Sequence, residues 1–168
     1  GIYSVVGGIV TIFSFLNGAL SAATSRFLTF ELGKKDFLKL RQTFSTCVTI
    51  HIAISVIIFI LAETVGLWLL ITKMTIPDNR MFAAHFVYQF SILSAILSIT
   101  QVPYNAIIIA YEKMNIFAYI SLVEVSLKLI IVYLIQLSIF SDKLIFYSLF
   151  IFILSTSIMM IYRFYCIR

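Results

Sequence analysis

Long apolar runs alternate with short polar breaks along the chain, and the breaks hold most of the charge. Five runs stand out, at residues 2–28, 42–70, 81–110, 116–137 and 144–162. Each is near or above the roughly 20 residues that a helix needs to cross the hydrocarbon of a bilayer. The longest would tilt or protrude into water. Between them lie a charged connector, Glu31–Arg41, and a connector Thr72–Arg80 with the turn formers Pro77, Asp78 and Asn79. Two further polar turns follow, Tyr111–Asn115 and Ser141–Lys143. The pattern predicts an all-α, polytopic transmembrane helix bundle of about five spans, a single transmembrane helical domain over residues 1–168.

The third run carries the clearest polar pattern. Met81–Tyr111 has no Asp, Glu, Lys or Arg, yet it holds Ser94, Ser98, Gln101 and Asn105 at spacings of 4, 3 and 4. Helical periodicity puts all four on one face, and Ser91 extends the stripe by a turn. A polar stripe at bilayer depth faces other helices or a watery cavity, since lipid cannot satisfy it. Pro103 sits in the stripe, where it removes a backbone hydrogen bond and invites a bend, so it is the candidate hinge.

Composition agrees with a membrane solvent. The chain is 62% hydrophobic and 11% charged, against about 25% charged in soluble domains. In 168 residues no water-soluble core would hide that much apolar surface. The net charge of +5 is mostly a topology signal. With five spans, Arg26, Lys34, Lys35, Lys39, Arg41, Lys113, Arg163 and Arg168 fall on one side, and Lys73, Arg80 and Lys143 on the other. The richer side should be cytoplasmic. The basic residues flank spans instead of forming a patch with stacking aromatics, which argues against nucleic acid as a partner. The Lys34–Arg41 cluster suits anionic membrane lipids. The chain starts at Gly1 within an apolar run and stops just past another, so both ends read as cut from something longer.

Other constellations are open to two readings. In the first run Ser14, Gly18 and Ala22 repeat every four residues, and Thr11, Ser21 and Ser25 continue a small or polar stripe toward Arg26. That is the pattern of close helix packing, or of a cavity wall ending in a cation. In the fourth run Glu124 precedes Lys128 by four, close enough to pair along a helix, with Ser121 and Gln136 near the same face. A lone charge there costs ~2.5–3.5 kcal/mol on insertion scales. The two form a neutralising lock, or Lys128 meets an anionic substrate, or the pair relays protons. His51, flanked by Cys47 and Ser55, reads as a hydrogen-bonded interior histidine, because a metal site needs more ligands than this. Trp68, Tyr88, Tyr111, Tyr162 and Tyr165 belong to interfacial belts or to packing. HExxH, GxSxG, Walker A and GxGxxG are all missing, so neither enzyme activity nor a cofactor or metal is expected.

The run GIYSVVGGIVTIFSFLNGALSAATSRFLTFELGKKDFLKLRQTFST resembles the second helix, inner loop and start of the third helix of bacterial polysaccharide exporters. QVPYNAIIIAYEKM and FAYISLVEVSLKLIIVYLI are similar to the fourth helix, inner turn and fifth helix of the same group. That group is the polysaccharide and lipopolysaccharide flippase branch of the multidrug/oligosaccharidyl-lipid/polysaccharide (MATE-like) superfamily. The resemblance implies a two-lobe transporter of about twelve to fourteen helices, of which this chain would supply helices two to six, most of the N-terminal lobe. The remaining helices of the transporter would then be its partners.

The resemblance further implies a multi-pass protein of the bacterial inner membrane that flips lipid-linked oligosaccharide precursors by alternating access, in polysaccharide or lipopolysaccharide biosynthesis. Arg26 and Lys128 match the basic residues that such flippases turn toward the central cavity, where they would meet a pyrophosphate link. Ser94, Ser98, Gln101 and Asn105 would line that cavity as substrate-binding residues. The alternative is a MATE-type ion-coupled multidrug antiporter, which would depend on Glu124, the one acid deep in a run.

Overall fold

The computed structural model describes residues 2–72, 81–137 and 143–167, with side-chain placement outside 2–16, 69–70 and 167. Every described element is helical. In order they are α1 (Ile2–Gly33), α2 (Phe37–Leu61), a π-helical turn (Ala62–Gly66), α3 (Leu67–Thr72), α4 (Met81–Ala110), α5 (Met114–Leu137) and α6 (Lys143–Ile167). Among the described residues four stretches are long and apolar enough to cross a membrane: Phe37–Gly66, Met81–Ala110, Met114–Leu137 and Lys143–Cys166. The predicted first run is helical as well, inside the 32 residues of α1. Thr11 and Ser14 of its small-residue stripe lie outside the described side chains, and the turn residues Pro77, Asp78, Asn79, Ser141 and Asp142 lie outside the described residues.

The third run is helical from Met81, the first described residue after the connector, to Ala110, where the sequence pattern also ends it. The charged connector is much shorter than the stretch Glu31–Arg41 that the pattern predicts. Chain reversal takes only Lys34, Lys35 and Asp36, and Glu31 belongs to α1 while Phe37–Arg41 belongs to α2. The reason is local. Lys35 turns the chain at φ 58°, and Asp36 then caps α2 by accepting a hydrogen bond from the Lys39 backbone N–H at 3.0 Å. Charged residues are good helix formers, so water-exposed turns extend the helix beyond the bilayer. The α4–α5 turn reverses similarly at Glu112, φ 58°. There Lys113 N–H reaches the Ile108 carbonyl and Glu112 N–H the Ile109 carbonyl, a Schellman closure of α4.

Asp36 yields a pH prediction. The Lys39 backbone hydrogen bond, helped by the Lys39 charge, outweighs burial and holds its carboxyl below the ordinary carboxylate range. A depressed folded pKa means that the cap contributes fully above the unfolded value of about 3.9 and is lost as pH falls through the folded one. Asp36→Ala should therefore melt lower than the parent near neutral pH, with the difference closing at the acid end of a pH series of thermal melts. Asp36→Asn, also a good cap, should keep most of the stability and lose that pH dependence.

Helix α4 is the centre of the bundle, packed against α1, α2, α5 and α6. Two apolar clusters hold it. Leu28, Leu40, Ala106 and Ala110 join α1, α2 and α4. Ile108, Leu154, Ile158 and Tyr162 join α4 and α6, with Phe117 and Ile120 of α5 against them. Small side chains at Ala106 and Ala110 let backbones approach, which is how helices associate in lipid without a hydrophobic driving force. Tyr162, 1% exposed, is therefore a packing residue and not part of an interfacial belt. Leu122, Val123, Val125, Leu129 and Ile130 of α5 are exposed, as befits a helix on the lipid side of the bundle.

Candidate functional site: a polar cavity among four helices

Helices α1, α4, α5 and α6 enclose a polar cavity of about 500 Å³. Its walls follow one rule. Helix α4 contributes Ser94, Ser98, Gln101 and Asn105, α5 contributes Phe117, Ser121, Glu124 and Lys128, and α6 contributes Ile151, Ser155, Ile158 and Tyr162. Each set is spaced 4, 3, 4, the repeat that keeps one face of a helix toward a common axis. Asn17 and Ser21 of α1 complete the wall. The four stripe residues of α4 thus share the cavity with Glu124 and Lys128, as their placement on single helix faces allows. Ser91 does not join them: it is exposed and its hydroxyl donates to the Val87 carbonyl at 2.7 Å. One turn short of Ser94, the Phe90 ring meets the Phe152 ring of α6 at 5.5 Å and fills the space between the two helices.

The cavity's hydrogen-bonding capacity is only partly used. Ser94 and Ser155 spend their protons on the carbonyls of Phe90 and Ile151, at 2.8 and 2.9 Å, which leaves their oxygens as acceptors. The side-chain oxygens of Asn17 and Asn105 are buried with no partner. At bilayer depth an unsatisfied amide oxygen is costly, so both are prepared for a donor brought by water or ligand. Lys128 Nζ donates to Glu124 Oε1 at 2.6 Å, with the side chains 44% and 29% exposed. That contact uses one of three ammonium protons and leaves two for another acceptor. Tyr162 shares the cavity wall with Ser121 and Glu124.

Arg26 stands apart from this assembly. It lines a separate shallow depression on α1 with Ala23, Phe27, Phe30 and Glu31. Helix geometry explains the separation: at 100° per residue Arg26 is about 140° from Ser21 and about 180° from Asn17, the two cavity positions of the same helix. The small-residue stripe of the first run is divided in the same way. Ser21 faces the cavity, but Gly18 and Ala22 are exposed, and a Cβ on Gly18 would meet nothing within 4 Å. Gly18 is thus not a close-packing position within the described bundle. Pro103 is fully buried inside α4, which continues through it as one helix. Gln136 is exposed and outside the cavity.

His51 is 2% exposed, its Nδ1 lies 2.7 Å from the Cys47 carbonyl, and Ser55 donates to the His51 carbonyl at 2.8 Å. It is an interior, hydrogen-bonded histidine. A carbonyl only accepts, so Nδ1 carries a proton and Nε2 is left without a partner. Toward the other end of the bundle, Gln89 Nε2 donates to Glu63 Oε2 at 3.2 Å and the Tyr88 hydroxyl donates to the Ala62 carbonyl at 2.7 Å. These contacts pin the π-helical turn to α4.

The residues that sequence reasoning passed over are Asn17, Ser155 and Tyr162. Asn17 carried a signal, as a lone amide within an apolar run, and so did the Ser155–Thr156–Ser157 triplet. Tyr162 carried none that separates a packed ring from an interfacial one.

A bundle of helices apolar enough to cross a membrane, packed around a polar cavity, defines a multi-pass membrane protein. The model of the MatE family matches residues 1–134, and the chain belongs to that family of membrane transporters. None of the curated proteins and none of the solved structures compared with the chain matches it.

Proposed function

We propose that the chain is part of a flippase for lipid-linked oligosaccharide or polysaccharide precursors, working by alternating access in a bacterial inner membrane. The observation that carries this reading is the pairing of Glu124 with Lys128 at 2.6 Å. The pair cancels Glu124, the one acid lining the cavity among the described residues, so a cationic drug finds no net negative charge there. What remains is a wall of hydroxyls and amides with unspent acceptors at Asn17 and Asn105, which complements hydroxyl-rich sugars. Two free ammonium protons on Lys128 suit a phosphate link. Ser94, Ser98, Gln101 and Asn105 bind the glycan in this scheme, and Pro103 supplies a bend when the lobes rock.

Arg26, which faces away from the cavity, would meet the head group only outside it, at the basic end of the bundle. That end gathers Lys34, Lys35, Lys39, Arg41 and Lys113 and is assigned to the cytoplasm by the positive-inside rule. The remaining helices of a two-lobe transporter would close the open side of the cavity.

A second reading, ion-coupled multidrug antiport, draws support from the same acid. If Lys128 releases Glu124 during the cycle, the carboxylate becomes available to a cation. Deleting the gene in the source bacterium separates the two. Flippase function predicts lipid-linked intermediates trapped on the cytoplasmic leaflet and loss of surface glycan. Normal glycan with raised sensitivity to cationic drugs would reject it in favour of the antiporter. In the complemented strain, Arg26→Ala should leave export close to normal and Lys128→Ala should abolish most of it.

A further inference from the structure

Next to the polar cavity, toward the basic end of the bundle, two depressions of about 300 and 250 Å³ share Ile107, Tyr111 and Cys166. They are one groove, running between α2 and α6 with α4 as its floor. No residue is common to this groove and the cavity. Ile107 is about 200° round the helix from Asn105, while Ile108 prolongs the cavity face two turns beyond Gln101 and packs on Ile158 and Tyr162, which close the cavity off from the groove.

The groove has two kinds of lining. Phe37, Leu40 and Phe44 make an apolar wall on α2, continued by Ile107 on the floor. Arg41 stands on one lip and Lys113 on the other. Neither takes part in an ion pair among the described residues, where the pairs are Lys39–Asp36 and Lys128–Glu124. Lys113 is instead held by Tyr165: its Nζ donates to the tyrosine hydroxyl at 3.2 Å and lies 5.5 Å from the ring centroid. A neutral partner positions the ammonium and leaves its charge uncompensated. Glu112, next to Lys113 in the chain, is exposed and in no ion pair among the described residues.

We propose that this groove binds an anionic phospholipid from the leaflet at the basic end of the bundle. The phosphate sits between Arg41 and Lys113, and an acyl chain lies along Phe44 and Ile107. Charge complementarity selects the head group, since two uncompensated cations flank the opening. The apolar wall selects a lipid over a free phosphate compound, because it begins at Phe37, the first residue of a membrane-crossing stretch, and deepens toward Phe44. The inference does not depend on what the cavity transports.

The test uses the full chain in nanodiscs of phosphatidylcholine with a minor fraction of phosphatidylglycerol. Lipid retained after mild detergent extraction is identified by native mass spectrometry. The parent should retain phosphatidylglycerol. The double variant Arg41→Gln/Lys113→Gln should lose it about tenfold or more, since both charge-assisted contacts to the phosphate are removed. Lys34→Gln/Lys35→Gln makes the same charge change at the same end, outside the groove, and should retain it. The charge-keeping pair Arg41→Lys/Lys113→Arg should retain it too, which separates loss of charge from loss of fold. Equal loss in both Gln doubles would reduce the effect to a diffuse field and overturn the site. So would retention by Arg41→Gln/Lys113→Gln, or full displacement of the lipid by millimolar inorganic phosphate.

Discussion

Lys128→Met is expected to lower the thermal stability of the purified protein by about 2 kcal/mol and to abolish glycan export. The substitution leaves Glu124 without its 2.6 Å partner on a helix face inside the bilayer. Removing one member of a buried pair costs about 3–5 kcal/mol, because the survivor is an uncompensated charge. Here the pair borders a cavity and Lys128 is 44% exposed, so water screens part of that cost. The double variant Glu124→Gln/Lys128→Met removes both charges and should recover most of the stability. Export should stay lost in the double, because the cation proposed to meet the phosphate link is gone. Melting curves in nanodiscs give the first readout, and surface glycan in the deletion strain gives the second. A single variant as stable as the parent would mean that each charge is already solvated by the cavity. A double variant that exports normally would remove Lys128 from the proposed substrate site.

Gly66→Ala should destabilise the outer half of the α2–α4 contact by about 1–3 kcal/mol. Gly66 ends the π-helical turn, and a Cβ there would overlap the Tyr88 hydroxyl. That hydroxyl is committed, at 2.7 Å, to the Ala62 carbonyl, and a tyrosine ring has little freedom to yield. The alanine must therefore push α4 away or break the hydrogen bond, leaving the Tyr88 hydroxyl short of a partner while the Ala62 carbonyl keeps the Leu67 N–H. Adding Tyr88→Phe removes the obstructing oxygen while keeping the ring. The double variant should then be more stable than Gly66→Ala alone, although Tyr88→Phe by itself costs about 1 kcal/mol for the lost bond. A double-mutant cycle of thermal melts measures this coupling. Additive effects would show that Gly66 and Tyr88 do not meet.

The parts of the fold that depend on local chemistry were open to direct reading. Charge-free length marks Met81–Ala110 as a spanning helix, and its end at Ala110 agrees with the pattern. Spacing put Ser94, Ser98, Gln101 and Asn105 on one face, and that face lines the cavity. Glu124 and Lys128 were paired by helical geometry alone. Charge alone does not separate loop from helix across Glu31–Arg41, because helices continue into water once Asp36 supplies a cap, and the connector is shorter than its charge suggests. The π-helical turn at Ala62–Gly66 left no mark in composition, since it depends on what Tyr88 and Gln89 do from another helix.

By itself, then, the sequence determined what each helix is: where it spans, which end is basic, and which residues share its polar face. These follow from hydropathy and a 3.6-residue repeat, both properties of a single segment. The azimuth of one helix against its neighbours is a property of pairs, and only the tertiary structure decided it. Rotation about α1 brings Asn17 and Ser21 to the cavity and turns Arg26 out of it. Packing of α6 on α4 makes Tyr162 a core residue and gives the cavity its fourth wall. In a bilayer every outward face is equally apolar, so hydropathy cannot say which polar residue looks inward; close packing at Leu28, Ala106 and Ile158 sets the rotation that does.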